Sequence, residues 1–181
     1  MPLLARGAAV LRPVEERDVE PYAAACRDDP ALGRRAGFDV DPTEEWVRSR
    51  LEGAAERRAT GRFAELAVVD PDTDGFLGAV ALHHFEWPAG RVELAVWLAP
   101  AARGRGIAHM ALSLVLDWLF GVGFRRAELR TTPDNEPMCT LAERLGFVRE
   151  GVLRRYAVER GTQVDVVVFG LLRGEWPAAD G

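Results

Sequence analysis

The chain has 181 residues, 48% of them hydrophobic, with a formal net charge of −5, which suits one domain and one core over residues 1–181. No apolar run is long enough to span a membrane, residues 1–10 carry no signal-peptide pattern, and no block of like charge offers a nucleic acid a surface. All 23 basic residues are arginine, so a P-loop, which needs lysine, is excluded. Cys26 and Cys139 form no Cys-x-x-Cys motif, so a cytoplasmic protein without a bound metal is expected.

A first strand is predicted over 8–12, stopped by Pro13, and Asp18 opens an amphipathic helix to about Arg27. Residues 28–40, rich in Pro, Gly, Asp and Arg, read as a loop. Asp41-Pro42-Thr43-Glu44 offers a capping side chain, Pro at the first helical position and Glu at the third, so a helix is expected from there to about Arg58. Strands over 63–69, 76–85 and 91–98 follow, joined by turns at 70–75 and 86–90 into an antiparallel meander. Next come a helix over about 108–120, a strand over 127–131 and a helix from about Asn135 to Leu145, closed by Gly146. Strands near 147–153 and 163–172 finish the chain. The second is apolar on both faces, as a covered interior strand would be, and residues 177–181 are expected to be a short disordered tail.

The junction from Val96, Trp97 and Leu98 into the helix at Ala108 carries the most information. A strand, a turn containing Gly104 and Gly106, and a helix start place unpaired N–H groups and partial positive charge at one point. Arg103 and Arg105 add full charges. A phosphate or pyrophosphate is the natural guest. The dinucleotide fingerprint Gly-x-Gly-x-x-Gly fits poorly, because His109 occupies the place of its third small residue and no βα units precede the loop.

Arg103-x-x-Gly106-x-Ala108 resembles the acetyl-coenzyme A pyrophosphate loop of the GNAT family of N-acetyltransferases. Asn135, followed by Ala142-Glu143-Arg144-Leu145-Gly146-Phe147 and Glu150-Gly151, is similar to the signature of that family's RimJ/RimL branch. The order β-α-α-β-β-β-α-β-α-β-β is also the GNAT topology. The resemblance implies an α+β GNAT fold, a mixed and mostly antiparallel central sheet of about seven strands with helices on both faces. It further implies acetyl-CoA as acyl donor, a primary amine as acceptor (a protein N-terminus or a small molecule), transfer by direct attack in a ternary complex, and a homodimer. A catalytically lapsed CoA-binding sensor, or transfer of a larger group such as succinyl, are the alternatives.

Acyl transfer to an amine needs a base, a positioned thioester, donors for the developing oxyanion and an acid for the thiolate. Glu93, sharing a strand face with Arg91 and Trp97, is the candidate base; the competing reading is a solvent-facing Glu paired with Arg91. The resemblance implies that the backbones of Val96, Trp97 and Leu98 hold the pantetheine arm where this strand splays from the next, against ordinary pairing with 127–131. It assigns Arg103, Gly104, Arg105, Gly106, Ile107 and Ala108 to the pyrophosphate. Asn135 either contacts pantetheine or caps its helix. Where relatives carry a general acid this chain has Ala142 and Met138, leaving Cys139 or Tyr156 as candidates, with a buried core thiol the competing reading for Cys139. His83, Trp87 and Trp97 are candidates to line the acceptor site. His83 and His84, adjacent on a strand, are expected to face opposite sides and so not to share a metal.

Overall fold

Alternation of apolar and polar residues builds eight strands into one sheet, which the computed structural model describes together with its helices over residues 4–29, 32, 43–159 and 161–177. The strands are β1 (Leu4–Arg6), β2 (Ala9–Pro13), β3 (Ala64–Val69), β4 (Phe76–Glu86), β5 (Arg91–Leu98), β6 (Arg126–Thr131), β7 (Val148–Glu159) and β8 (Thr162–Leu172). They lie in the order β1-β2-β3-β4-β5-β6-β8-β7. Every neighbouring pair is antiparallel except β5 and β6. The eighth strand is the short β1, which pairs back on β2 through the turn at Gly7 and has too few residues to show a period.

Among the described residues five α-helices accompany the sheet: α1 (Val19–Asp28), α2 (Glu44–Leu51), α3 (Ala54–Ala59), α4 (Ile107–Gly121) and α5 (Glu136–Arg144). The α2 N-cap is Thr43, whose hydroxyl accepts from the Trp46 N–H. Asp41, Pro42, most of the expected 28–40 loop and residues 178–181 lie outside the described residues. The single helix expected to reach Arg58 is two, because Gly53 adopts φ 67°, a left-handed conformation that ends one helix and begins another.

The even positions of β5 face α4. Val92, Leu94 and Leu98 join Leu112, Val115, Leu116 and Leu119 in the main core. On the opposite face Tyr22, Val47 and Ala79 form a second core with Trp46, Phe76 and Trp97 packed against it. Helices on both faces thus cover a sheet whose interior strand β8 buries Val166, Val167 and Phe169. None of the described helices is long and apolar enough to cross a membrane.

Parallel pairing of β5 with β6 runs only from Arg91–Arg126 to Leu94–Leu129. Beyond that point β5 continues to Leu98, while β6 stays with β8 through Thr131–Val167. The two central strands part, as the resemblance implied, and a fork opens between Ala95–Leu98 and the end of β6.

Candidate active site

The loop after β5 closes one end of the fork. Gly104 and Gly106 sit at φ 74° and 76°, and a Cβ built on either would meet nothing within 4 Å, so the space beside the backbone is open. Gly106 is the α4 N-cap, no side chain caps the helix, and its first turn holds no acid. The leading N–H groups of a 15-residue helix therefore point at that space without an intrahelical acceptor. These features fit a pyrophosphate, with the backbone supplying donors and the helix dipole supplying charge. Arg105 is exposed beside them. Arg103 is less free than the sequence suggested: its Nε donates to the Leu98 carbonyl at 3.0 Å and its Nη2 pairs with Asp29 at 2.7 Å. It ties the loop to α1 and takes up one of the β5 carbonyls.

Glu93 stands at the base of the fork, one residue before pairing ends. It is 8% exposed, and Arg91 turns instead to Glu128, donating from Nη1 at 3.1 and 3.2 Å. The solvent-facing alternative is excluded. Its carboxylate meets His84 Nδ1 at 2.9 Å and lies 3.4 Å from Arg130 Nε. Trp97 packs elsewhere, edge-on to Tyr22 with ring centroids 4.7 Å apart.

The expectation that His83 and His84 face opposite sides is overturned. Between the His83–Glu93 and Glu86–Arg91 pairs β4 carries one more residue than β5, and His84 takes φ 50°. A bulge of this kind breaks alternation and re-aims a side chain. The two imidazoles consequently meet edge to face, Nδ1 to Nδ1 at 3.2 Å. Burial pushes the His83 pKa below its ordinary value, against the opposing pull of Glu93.

Two residues absent from the sequence-based candidates complete the cluster. Arg130 reaches Glu93, donates to Glu128 at 3.3 Å, and hydrogen-bonds the Tyr156 hydroxyl at 3.1 Å beneath its ring. Burial raises the Glu128 carboxyl pKa, but hydrogen bonds from Arg126 and Arg91 outweigh it and hold the group below the usual range. The sequence did carry a signal. Arg126, Glu128 and Arg130 alternate with buried Ala127 and Leu129, and charges recurring with period two in an interior strand must find partners across it.

The other candidates separate. Tyr156 belongs to the cluster through Arg130. Cys139 lies in α5, partly packed against the main core with Met138, and burial raises its thiol pKa. Asn135 occupies the α5 N-cap position without capping it; its amide donates to Thr131 Oγ1 at the tip of β6, at 2.9 Å. Trp87 is stacked on Phe85 and hydrogen-bonded to the Gly61 carbonyl. It sits at the end of β5 remote from the loop.

Comparison with known proteins agrees with this architecture. Residues 9–148 match the family described as "Acetyltransferase (GNAT) domain". The uncharacterized N-acetyltransferase p20 of Bacillus licheniformis is 30% identical over 127 residues, 70% of this chain and 67% of its own. The uncharacterized N-acetyltransferase YoaA of Bacillus subtilis is 25% identical over 95% of this chain and 97% of its own. A solved structure of Mycobacterium smegmatis RimJ in complex with CoA-disulfide superposes with a TM-score of 0.85 at 25% identity, covering 99% of this chain and 89% of that one.

Proposed function

Since the chain belongs to the GNAT acetyltransferase family, with RimJ among its structural neighbours, we propose that it transfers acetyl from acetyl-CoA to a primary amine while both are bound. The acceptor is a protein N-terminus or a small-molecule amine. When bound, acetyl-CoA supplies an acyl group activated as a thioester. Gly104, Arg105, Gly106, Ile107 and Ala108 hold its pyrophosphate through backbone N–H groups, while Val96 and Leu98 present the unpaired edge of β5 to the pantetheine arm. Leu98 lies five positions on from Glu93, about 16 Å of strand at ~3.3 Å per step, so the arm runs along the fork toward the carboxylate.

Glu93 receives the amine proton. An ionised carboxylate can only accept, so His84 Nδ1 carries the hydrogen between them and Nε2 is left as a lone-pair acceptor facing solvent. His84 is 68% exposed at its side chain, which suits it to meet an incoming ammonium and pass charge to the buried acid behind it. N–H groups on the parted strand serve as oxyanion donors. Tyr156 is the candidate acid, held by Arg130 beside Glu93; Cys139 is the second. The transfer is direct, because no nucleophile stands beside its own base and orienter. Both cysteines are free, in keeping with the reducing cytoplasm.

The observation that carries this reading is the fork itself, with an anion cradle at one end and a buried carboxylate at the other. Calorimetry should show micromolar acetyl-CoA binding, and a thiol-release assay across peptides and small amines should show turnover. Binding without turnover for acetyl-CoA or succinyl-CoA, with every amine, would replace the enzyme with a sensor.

A further inference from the structure

Three ligating atoms converge where the acceptor amine would enter. One ligand atom from each of His83, His84 and Glu93 lies within 4.8 Å of the other two; the histidine Nδ1 atoms are 3.2 Å apart and His84 Nδ1 is 2.9 Å from Glu93 Oε2. His84 Nδ1 is common to both short contacts. A ring nitrogen has one in-plane site, holding either a hydrogen or a lone pair. If it donates to Glu93 it offers His83 only a weak share of the same hydrogen, and if it accepts from His83 it sets a lone pair against the carboxylate. Protons alone satisfy one of these contacts fully and leave the other weak or unfavourable.

A divalent cation satisfies both, since it takes a lone pair from each atom. Tetrahedral zinc with bonds of ~2.0–2.1 Å has ligand-to-ligand edges of about 3.3–3.4 Å. The separations of 3.2 and 2.9 Å lie at or somewhat below that edge, and the third, between His83 and Glu93, is adjusted by the half-buried His83 ring.

We propose that His83, His84 and Glu93 form a Zn²⁺ site, and that the ion, by occupying the lone pairs of the base and its histidine, shuts off acyl transfer reversibly. Binding releases the His84 Nδ1 hydrogen and leaves the fourth position to water. Arg130, 3.4 Å from the same carboxylate, opposes a cation, but Glu128 and Tyr156 hold its guanidinium from the other side. The β4 bulge is the structural element that makes the site, because without it His84 would project from the opposite face.

The binding half stands without the proposed function; the inhibitory half rests on it. The full chain, stripped with EDTA, is titrated with Co²⁺ and its visible d–d absorption followed, and Zn²⁺ affinity is measured by calorimetry. One tetrahedral site per chain is expected. His84→Ala and His83→Gln should each weaken Zn²⁺ by at least about tenfold, the scale for loss even of an outer-shell partner, whereas His109→Ala should leave it unchanged. In the thiol-release assay Zn²⁺ should abolish turnover over the same concentration range, with full recovery in EDTA and no change in acetyl-CoA affinity. Absence of the Co²⁺ bands, or Zn²⁺ affinity indifferent to both histidine variants, overturns the site. Histidine-dependent binding with undiminished turnover overturns the inhibitory role alone. A protein inert even in EDTA yet binding the metal would sink the proposed function and leave the site standing.

Discussion

Glu93→Gln is the most discriminating substitution, because glutamine keeps the volume and the hydrogen-bonding plane while removing the proton acceptor. The carboxylate is 8% exposed and held by His84 at 2.9 Å, so a positioned base contributes its full effect of about 10²–10⁴-fold. At about 1.36 kcal/mol per decade this is ~2.7–5.4 kcal/mol of barrier. His84 survives in the variant as an unassisted imidazole, which places the expected loss in kcat/KM near 10²-fold. His84→Ala should cost a similar factor, since it cuts the path by which the amine proton reaches Glu93. Groups that act as one unit are not additive, so the double variant should stay near 10²-fold instead of falling to 10⁴. Turnover is read by thiol release at saturating amine, and acetyl-CoA affinity by calorimetry should change less than about threefold, because the pyrophosphate cradle is untouched. Wild-type turnover in Glu93→Gln, or two losses that simply multiply, would refute the coupled pair.

Gly106→Ala puts a methyl into the open space beside the helix start and forces φ 76° on a residue with a side chain. It should weaken acetyl-CoA by about tenfold while costing ~1–2 kcal/mol of stability, read by calorimetry and urea unfolding. Asp18→Ala removes the bidentate partner of Arg12, whose side chain is 7% exposed and whose Nη1 lies 2.7 Å from the lost carboxylate, while Asp74 stays on Nε at 3.0 Å. With Asp74 still compensating the charge, the cost is that of lost charge-assisted hydrogen bonds, about 1.5–3 kcal/mol, or roughly 3–12 °C of Tm for a domain of this size. Stability should also fall with acid: burial holds the folded His83 pKa below its ordinary 6.5, so between that value and 6.5 the unfolded chain binds more protons. The contribution is therefore fully present above pH 6.5 and is lost as pH drops through the folded value. His83→Gln should flatten that part of the urea-midpoint profile.

Element types and order were legible because they depend on local patterning. The alternation in β3 to β5, the apolar face of α4 and the glycines at 104 and 106 each reflect a constraint acting within a few residues. The anion cradle was readable for the same reason, since a strand, a glycine turn and an uncapped helix start are consecutive in the chain. Glu93 was legible as a residue, but its surroundings were not. Arg130 and Glu128 lie 37 and 35 positions further on and reach it only through the parallel pairing of β5 and β6. Where that pairing stops depends on how β5 and β6 diverge in space while β6 keeps β8 on its other edge, which no local pattern in the chain records. The break at Gly53 and the β4 bulge depend likewise on the backbone conformations of single residues, which packing selects and no periodicity records. Local propensity thus determined the elements and the loop chemistry, whereas tertiary packing decided that two histidines expected on opposite faces share one side of the sheet.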